Sequence, residues 1–139
     1  MALDRHRARI LAMQALCQLD AQGDDLLVRI PSFLADSASD ARTVSYAQRL
    51  IEHAWKNRDA SGAEVEARAP RWTVERLTPV DRNVIRAALA EFDLGAVPPK
   101  VIINEALEIG REFGSAESAA FINGVLDSIW KAQRGEDEP

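Results

Sequence analysis

A chain of 139 residues fits one domain that buries about two-thirds of its unfolded surface, and 47% hydrophobic with 28% charged residues makes it a folding sequence rather than a disordered one. No apolar run approaches the ~18 residues of a bilayer span, the start MALDRHRARI lacks the apolar core of a secretory signal, and a lone cysteine excludes an internal disulfide. These features predict a cytoplasmic protein with no membrane contact. The net charge of −5 argues at first against a nucleic-acid partner, but charge is segregated. Residues 1–10 hold three arginines against one aspartate, whereas residues 135–139 hold three acids and no base.

The first helix is predicted over residues 4–20, with Asp4 as N-cap and Leu3, Ile10, Met13 and Cys17 on its buried side. Arg5, Arg7 and Arg9 crowd its first turn, where each exposed cation opposes the helix dipole by ~0.3–1 kcal/mol. A local rule broken three times points to a bound anion, and a helix start already offers free amides; the alternative is a solvated face. At 100° per residue Arg5 and Arg9 share one flank, while Arg7 shares another with Gln14 and Gln18. One phosphate row therefore reaches all three only if the first turn frays. His6 interrupts the basic run and reads as a packing residue on the apolar side.

Beyond Gly23, Asp24 and Asp25 can start a second helix with Leu26, Ile30, Phe33 and Leu34 on one face; Pro31 either kinks it or begins it. Residues 37–40 read as a turn, and residues 41–58 as a third helix with Val44, Ala47, Ile51, Ala54 and Trp55 inward. Residues 60–70 hold a short connecting helix, and Trp72 is the expected anchor between the halves. Thr78, Pro79 and Asp81 form an N-cap, an N1 proline and a capping-box acid for a helix lined by Val80, Val84, Ala88 and Phe92. Gly95 closes it; Pro98 and Pro99 open the next, whose stripe is Ile102, Ala106, Ile109 and Phe113. After Gly114, Ser115 is the expected N-cap of a last helix carrying Phe121, Ile122, Val125 and Ile129 inward. No stretch alternates at period two. The predicted fold is all-α: about seven helices in one domain of two small helical-bundle subdomains, about 1–70 and about 71–133, with a frayed acidic tail at 134–139.

Catalytic chemistry finds no support. His6 and His53 lie in different helices, Cys17 reads as a small buried hydrophobe, and HxxxH, CxxC, GxSxG and glycine-rich phosphate loops are absent. Glu105 and Glu108 share a helix face but lack a histidine or second carboxylate pair, so no metal and no cofactor are expected. Asn104 and Asn123 sit mid-helix off the apolar stripes, where asparagine is a mediocre helix former. They serve either as a surface for RNA bases or a partner, or as plain helix–helix hydrogen bonds. Phe121, at the edge of its stripe, is placed for core packing or for stacking a base.

The stretch VPPKVIINEALEIGREFGSAESAAFINGVLD closely resembles the C-terminal signature of the NusB family of transcription antitermination factors. The resemblance extends through WTVERLTPVDRNVIRAALAEF and RHRARILAMQALCQLD; residues 21–71 match only in length and helical pattern. It implies an all-helical, non-enzymatic protein that recognises single-stranded boxA RNA with the ribosomal protein NusE and helps load an antitermination complex on RNA polymerase. Carried onto this chain, it marks Arg5, Arg7 and Arg9, with Gln14 on the same helix, as RNA-binding. It also marks residues 117–123, with Glu117, Phe121 and Asn123, as RNA-facing. Asp81 and Asn104 fall to the partner-binding side, although Asp81 has a rival role as a cap. The competing readings are a helical interaction module or homodimer that does not bind RNA, and the accessory domain of an RNA methyltransferase. The second is disfavoured by the absence of a catalytic domain.

Overall fold

A computed structural model describes residues 3–37, 40–68 and 77–133. Among these residues it contains seven α-helices, one 3₁₀ segment and no strand: α1 Arg5–Gln22, the 3₁₀ segment Asp24–Arg29, α2 Ile30–Ser37, α3 Ala41–Lys56, α4 Arg58–Arg68, α5 Pro79–Leu94, α6 Pro99–Phe113 and α7 Ser118–Gln133. The all-α expectation holds. Trp72 and the acidic tail lie outside the described residues.

Helix boundaries follow local chemistry closely. The Asp4 carboxylate accepts from the Arg7 amide at 2.9 Å, and Thr78 Oγ1 accepts from the Asp81 amide at 3.2 Å with Pro79 at the first helical position. Gly95 takes φ 70°, a left-handed cap whose N–H reaches the Glu91 carbonyl at 3.3 Å. Pro31 falls in the first turn of α2, so the proline begins that helix, and the two acids before it start the 3₁₀ segment instead.

Two features of the C-terminal hairpin also differ from expectation. Helix α7 starts at Ser118, because the buried Ser118 hydroxyl oxygen takes the Ser115 amide at 2.9 Å and holds residues 115–117 in a turn. Phe113 is 36% exposed, so the inward stripe of α6 stops at Ile109. Between those points the α6–α7 hairpin closes tightly: a Cβ built on Gly110 would meet Ile122 Cδ1 at 2.7 Å.

Helices α1 and α5 are buried on most of their circumference, not on one face. One core gathers Leu11, Leu16 and Leu19 of α1 with Leu34, Leu50 and Ile51, and also takes Ala87 and Ala90 of α5. The other gathers Ile10 and Met13 of α1 with Ile85 of α5, Ile102, Ile122 and Leu126. The two helices run antiparallel, tied at each end by ions: Arg9 pairs with Glu91, and Asp20 pairs with Arg82 and Arg86. The Asp20 carboxylate receives Arg86 Nη1 at 2.8 Å, Asn83 Nδ2 at 2.8 Å and Arg82 Nε at 2.9 Å. Burial alone would raise its pKa; those donors overcome it and hold the carboxyl below its ordinary value. Cys17 is half-buried beside Asn83, and burial pushes its thiol up, away from the reactive thiolate.

Candidate nucleic-acid interface

Helix α1 is regular from Arg5, and its three arginines diverge. Arg5 is exposed, with its guanidinium carbon 5.3 Å above the centre of the Tyr46 ring on α3. Arg7 is exposed and donates from Nη2 to the Ser37 carbonyl at 3.1 Å, at the end of α2. Arg9 turns inward. It is 7% exposed and grips Glu91 with two parallel bonds, Nε to Oε1 at 2.8 Å and Nη2 to Oε2 at 2.7 Å, while Nη1 donates to Glu105 Oε1 at 2.9 Å. Arg9 is thus withdrawn from any phosphate surface: the fully buried Glu91 needs its charge, and α5 and α6 close over it.

The same network sets the ground on which Arg5 and Arg7 stand. Tyr46 Oη donates to Glu91 Oε2 at 2.7 Å. Burial and the Glu91 hydrogen bond push its phenol up to about 12. His6 Nδ1 lies 3.1 Å from Glu105 Oε1 with its side chain 43% exposed, so it meets a carboxylate where apolar packing was expected. His6, Glu105 and Glu108 bring ligand atoms within 4.8 Å of one another, but Glu105 Oε1 is already taken by Arg9 and His6. The flank shared by Arg5 and Arg9 is therefore a continuous chain: Arg5, Tyr46, Glu91, Arg9, Glu105, His6. Sequence reasoning missed Tyr46 and Glu91. The available signal was a lone carboxylate inside the apolar run at 87–92, since a buried charge demands a partner.

The remaining candidates sit on separate helices. Gln14 is half-buried on α1. Glu117 is exposed in the turn before α7, where the Ser115 hydroxyl lies 3.2 Å from its Oε2. Phe121 packs partly buried against the second core, one position from the buried Ile122, and Asn123 is exposed. Asn104 is exposed on α6. Asp81 is only 7% exposed, turned into the molecule at the start of α5, and so does not present itself to a partner; its Oδ1 has no hydrogen-bond partner.

An all-helical fold that displays Arg5 and Arg7 at the start of α1 has an architecture suited to binding a polyanion. The comparisons with known proteins name the family. Residues 6–131 match the model of the NusB family. The transcription antitermination protein NusB of Anaeromyxobacter dehalogenans (strain 2CP-1 / ATCC BAA-258) is 40% identical across 98% of this chain and 99% of its own. That of Chloroflexus aggregans is 36% identical across 93% and 88%. Among solved structures, T. maritima NusB superposes with a TM-score of 0.83 at 30% identity, covering 98% of this chain and 99% of its own. A complex of the antitermination factors NusB and NusE with dsRNA contains a chain that superposes at 0.82 and 23% identity, over 92% of this chain and 96% of that one. This chain belongs to the NusB family, a family of transcription antitermination proteins and not of enzymes. Among the described residues no helix is long and apolar enough to cross a membrane.

Proposed function

We infer that this chain binds single-stranded boxA-type RNA together with the ribosomal protein NusE, and so supports antitermination of ribosomal RNA transcription in the cytoplasm by RNA polymerase. The observation that carries this reading is the outward pair Arg5 and Arg7, displayed at a helix start while Arg9 is locked to Glu91. Arginines so placed neutralise phosphates and position the strand without reading sequence. Sequence discrimination falls to unpaired bases laid on polar and aromatic side chains, for which Asn123, Glu117 and the edge of Phe121 are the candidates. Asn104 is the remaining candidate for the NusE side.

Titration of a boxA-type single strand and its duplex, with and without NusE, at several salt concentrations tests this. Two phosphate contacts at about 0.7 each give a log–log salt slope of about −1.4 for the isolated protein. The expected result is weak, salt-dependent binding of the single strand that tightens with NusE and fails in Arg5→Ala/Arg7→Ala. An absence of RNA binding with and without NusE would leave a helical interaction module in its place.

A further inference from the structure

On the far side of Tyr46 from the buried network, α3 lines an open groove of about 310 Å³ with Arg42, Ser45, Tyr46 and Arg49; Leu3 and Ala41 complete it. Arg42, Ser45 and Arg49 follow one another at the i, i+3, i+7 spacing of a single helix face, and all three are exposed. Tyr46 forms the floor, only 5% exposed, with Arg5 stacked over its ring. The start of α1 is fixed to this wall, since the Asp4 amide donates to Thr43 Oγ1 at 3.0 Å.

The two arginines that line this groove, and Arg5 at its edge over Tyr46, hold no carboxylate among the described residues. Arg9, Arg82 and Arg86 all hold carboxylates. Arg5, Arg42 and Arg49 form no ion pair among the described residues. The nearby acids are otherwise engaged: Asp4 accepts from the Arg7 amide, Asp40 accepts from the Arg42 amide at 3.0 Å, and Glu52 accepts from Gln48 at 3.0 Å. Arginines without an ion pair occur elsewhere on the chain, but Arg5, Arg42 and Arg49 are gathered around one tyrosine and one groove, a local positive cluster on a chain of net charge −5 that suits a polyanion.

We propose that the α3 groove is a second phosphate track, along which RNA flanking the recognised element continues from Arg5 past Arg42 and Arg49. This rests on the RNA-binding reading above and extends it to residues outside the arginine-rich start. Seven residues at 1.5 Å rise set Arg42 and Arg49 about 10 Å apart along α3, so each serves its own phosphate. Ser45 stands between them as a hydroxyl donor. Phosphate contacts carry no sequence information, so the track adds affinity for flanking RNA of any sequence.

The test compares the boxA-type element alone with the same element extended by an oligouridine tail at either end, using wild type, Arg42→Ala/Arg49→Ala and Arg42→Lys/Arg49→Lys. All three carry NusE at the same concentration, and their oligomeric state is followed by sedimentation. Two single-strand phosphates contribute about 1.4 to the salt slope, so wild type on one tailed RNA should lose about sevenfold more affinity than the alanine variant between 50 and 200 mM salt. The lysine variant should behave as wild type, and all three should bind the bare element alike. Wild type that binds the bare element but gains nothing from either tail overturns the track while leaving RNA recognition standing. Wild type that binds neither RNA overturns both. Identical RNA binding with a change in sedimentation would assign the groove to pairing of two copies, and would also overturn the proposal.

Discussion

Arg5 and Arg9 carry the same charge one helical turn apart, yet their removal has unlike consequences. Arg9→Ala strips the compensating charge from Glu91, which is 1% exposed, and also leaves Glu105 with one donor fewer. Breaking a buried pair from one side costs about 3–5 kcal/mol. Arg5 is exposed and touches Tyr46 through the ring contact and a side-chain hydrogen bond, so its loss should cost no more than about 1 kcal/mol. Urea unfolding of the two variants measures this directly; equal midpoints would sink the structural role given to Arg9. Loss of RNA binding in an Arg9 variant would thus report on folding, whereas loss in an Arg5 variant would report on contact. Charge and helical phase could place Arg5 and Arg9 on one flank, as they are. They could not say that Glu91, 82 residues further along, waits on that flank for one of them.

At the scale of the element, what was legible in the sequence is what depends on near neighbours. Asp4, the Thr78–Pro79 start and Gly95 act within a few residues of themselves, and each caps where its chemistry demands. What failed is tertiary: Phe113 continues the α6 periodicity but emerges beyond the packed hairpin, and the Ser118 hydroxyl delays α7 by capturing Ser115. Gly110 was equally silent, because its role exists only where two helices meet. Gly110→Ala should be destabilising even though alanine is favoured over glycine in a helix by about 0.5–1 kcal/mol. The new methyl drives into Ile122, which is fully buried, and overpacking costs about 1–3 kcal/mol. Ile122→Val removes the obstructing Cδ1. Gly110→Ala/Ile122→Val should therefore be less destabilised than the two single changes summed, and strict additivity in thermal or urea melts would refute the close approach.

At the scale of the whole molecule, α1 and α5 form the seam that both cores share, and ions fasten it at both ends. The Arg9–Glu91 end is buried, with Arg9 and Tyr46 both bonded to the Glu91 carboxylate. The Asp20 end is partly open, at 18% side-chain exposure, and titrates from solvent. Its carboxyl is held below the ordinary value of 3.8 in the folded state by Arg86, Asn83 and Arg82. A depressed folded pKa means that the unfolded chain takes up the proton first as pH falls. The contribution of Asp20 to stability is then complete above 3.8 and disappears as pH drops through the lower folded value. Asp20→Asn should unfold earlier at neutral pH, because Arg82 and Arg86 lose their carboxylate, but its urea midpoint should fall less steeply below 3.8 than that of wild type. Because both cores hang on this seam, tryptophan fluorescence, which includes Trp55 in one core and Trp130 against the other, and circular dichroism of all helices should report the same transition. Parallel acid slopes for wild type and Asp20→Asn would remove Asp20 as a source of the acid sensitivity.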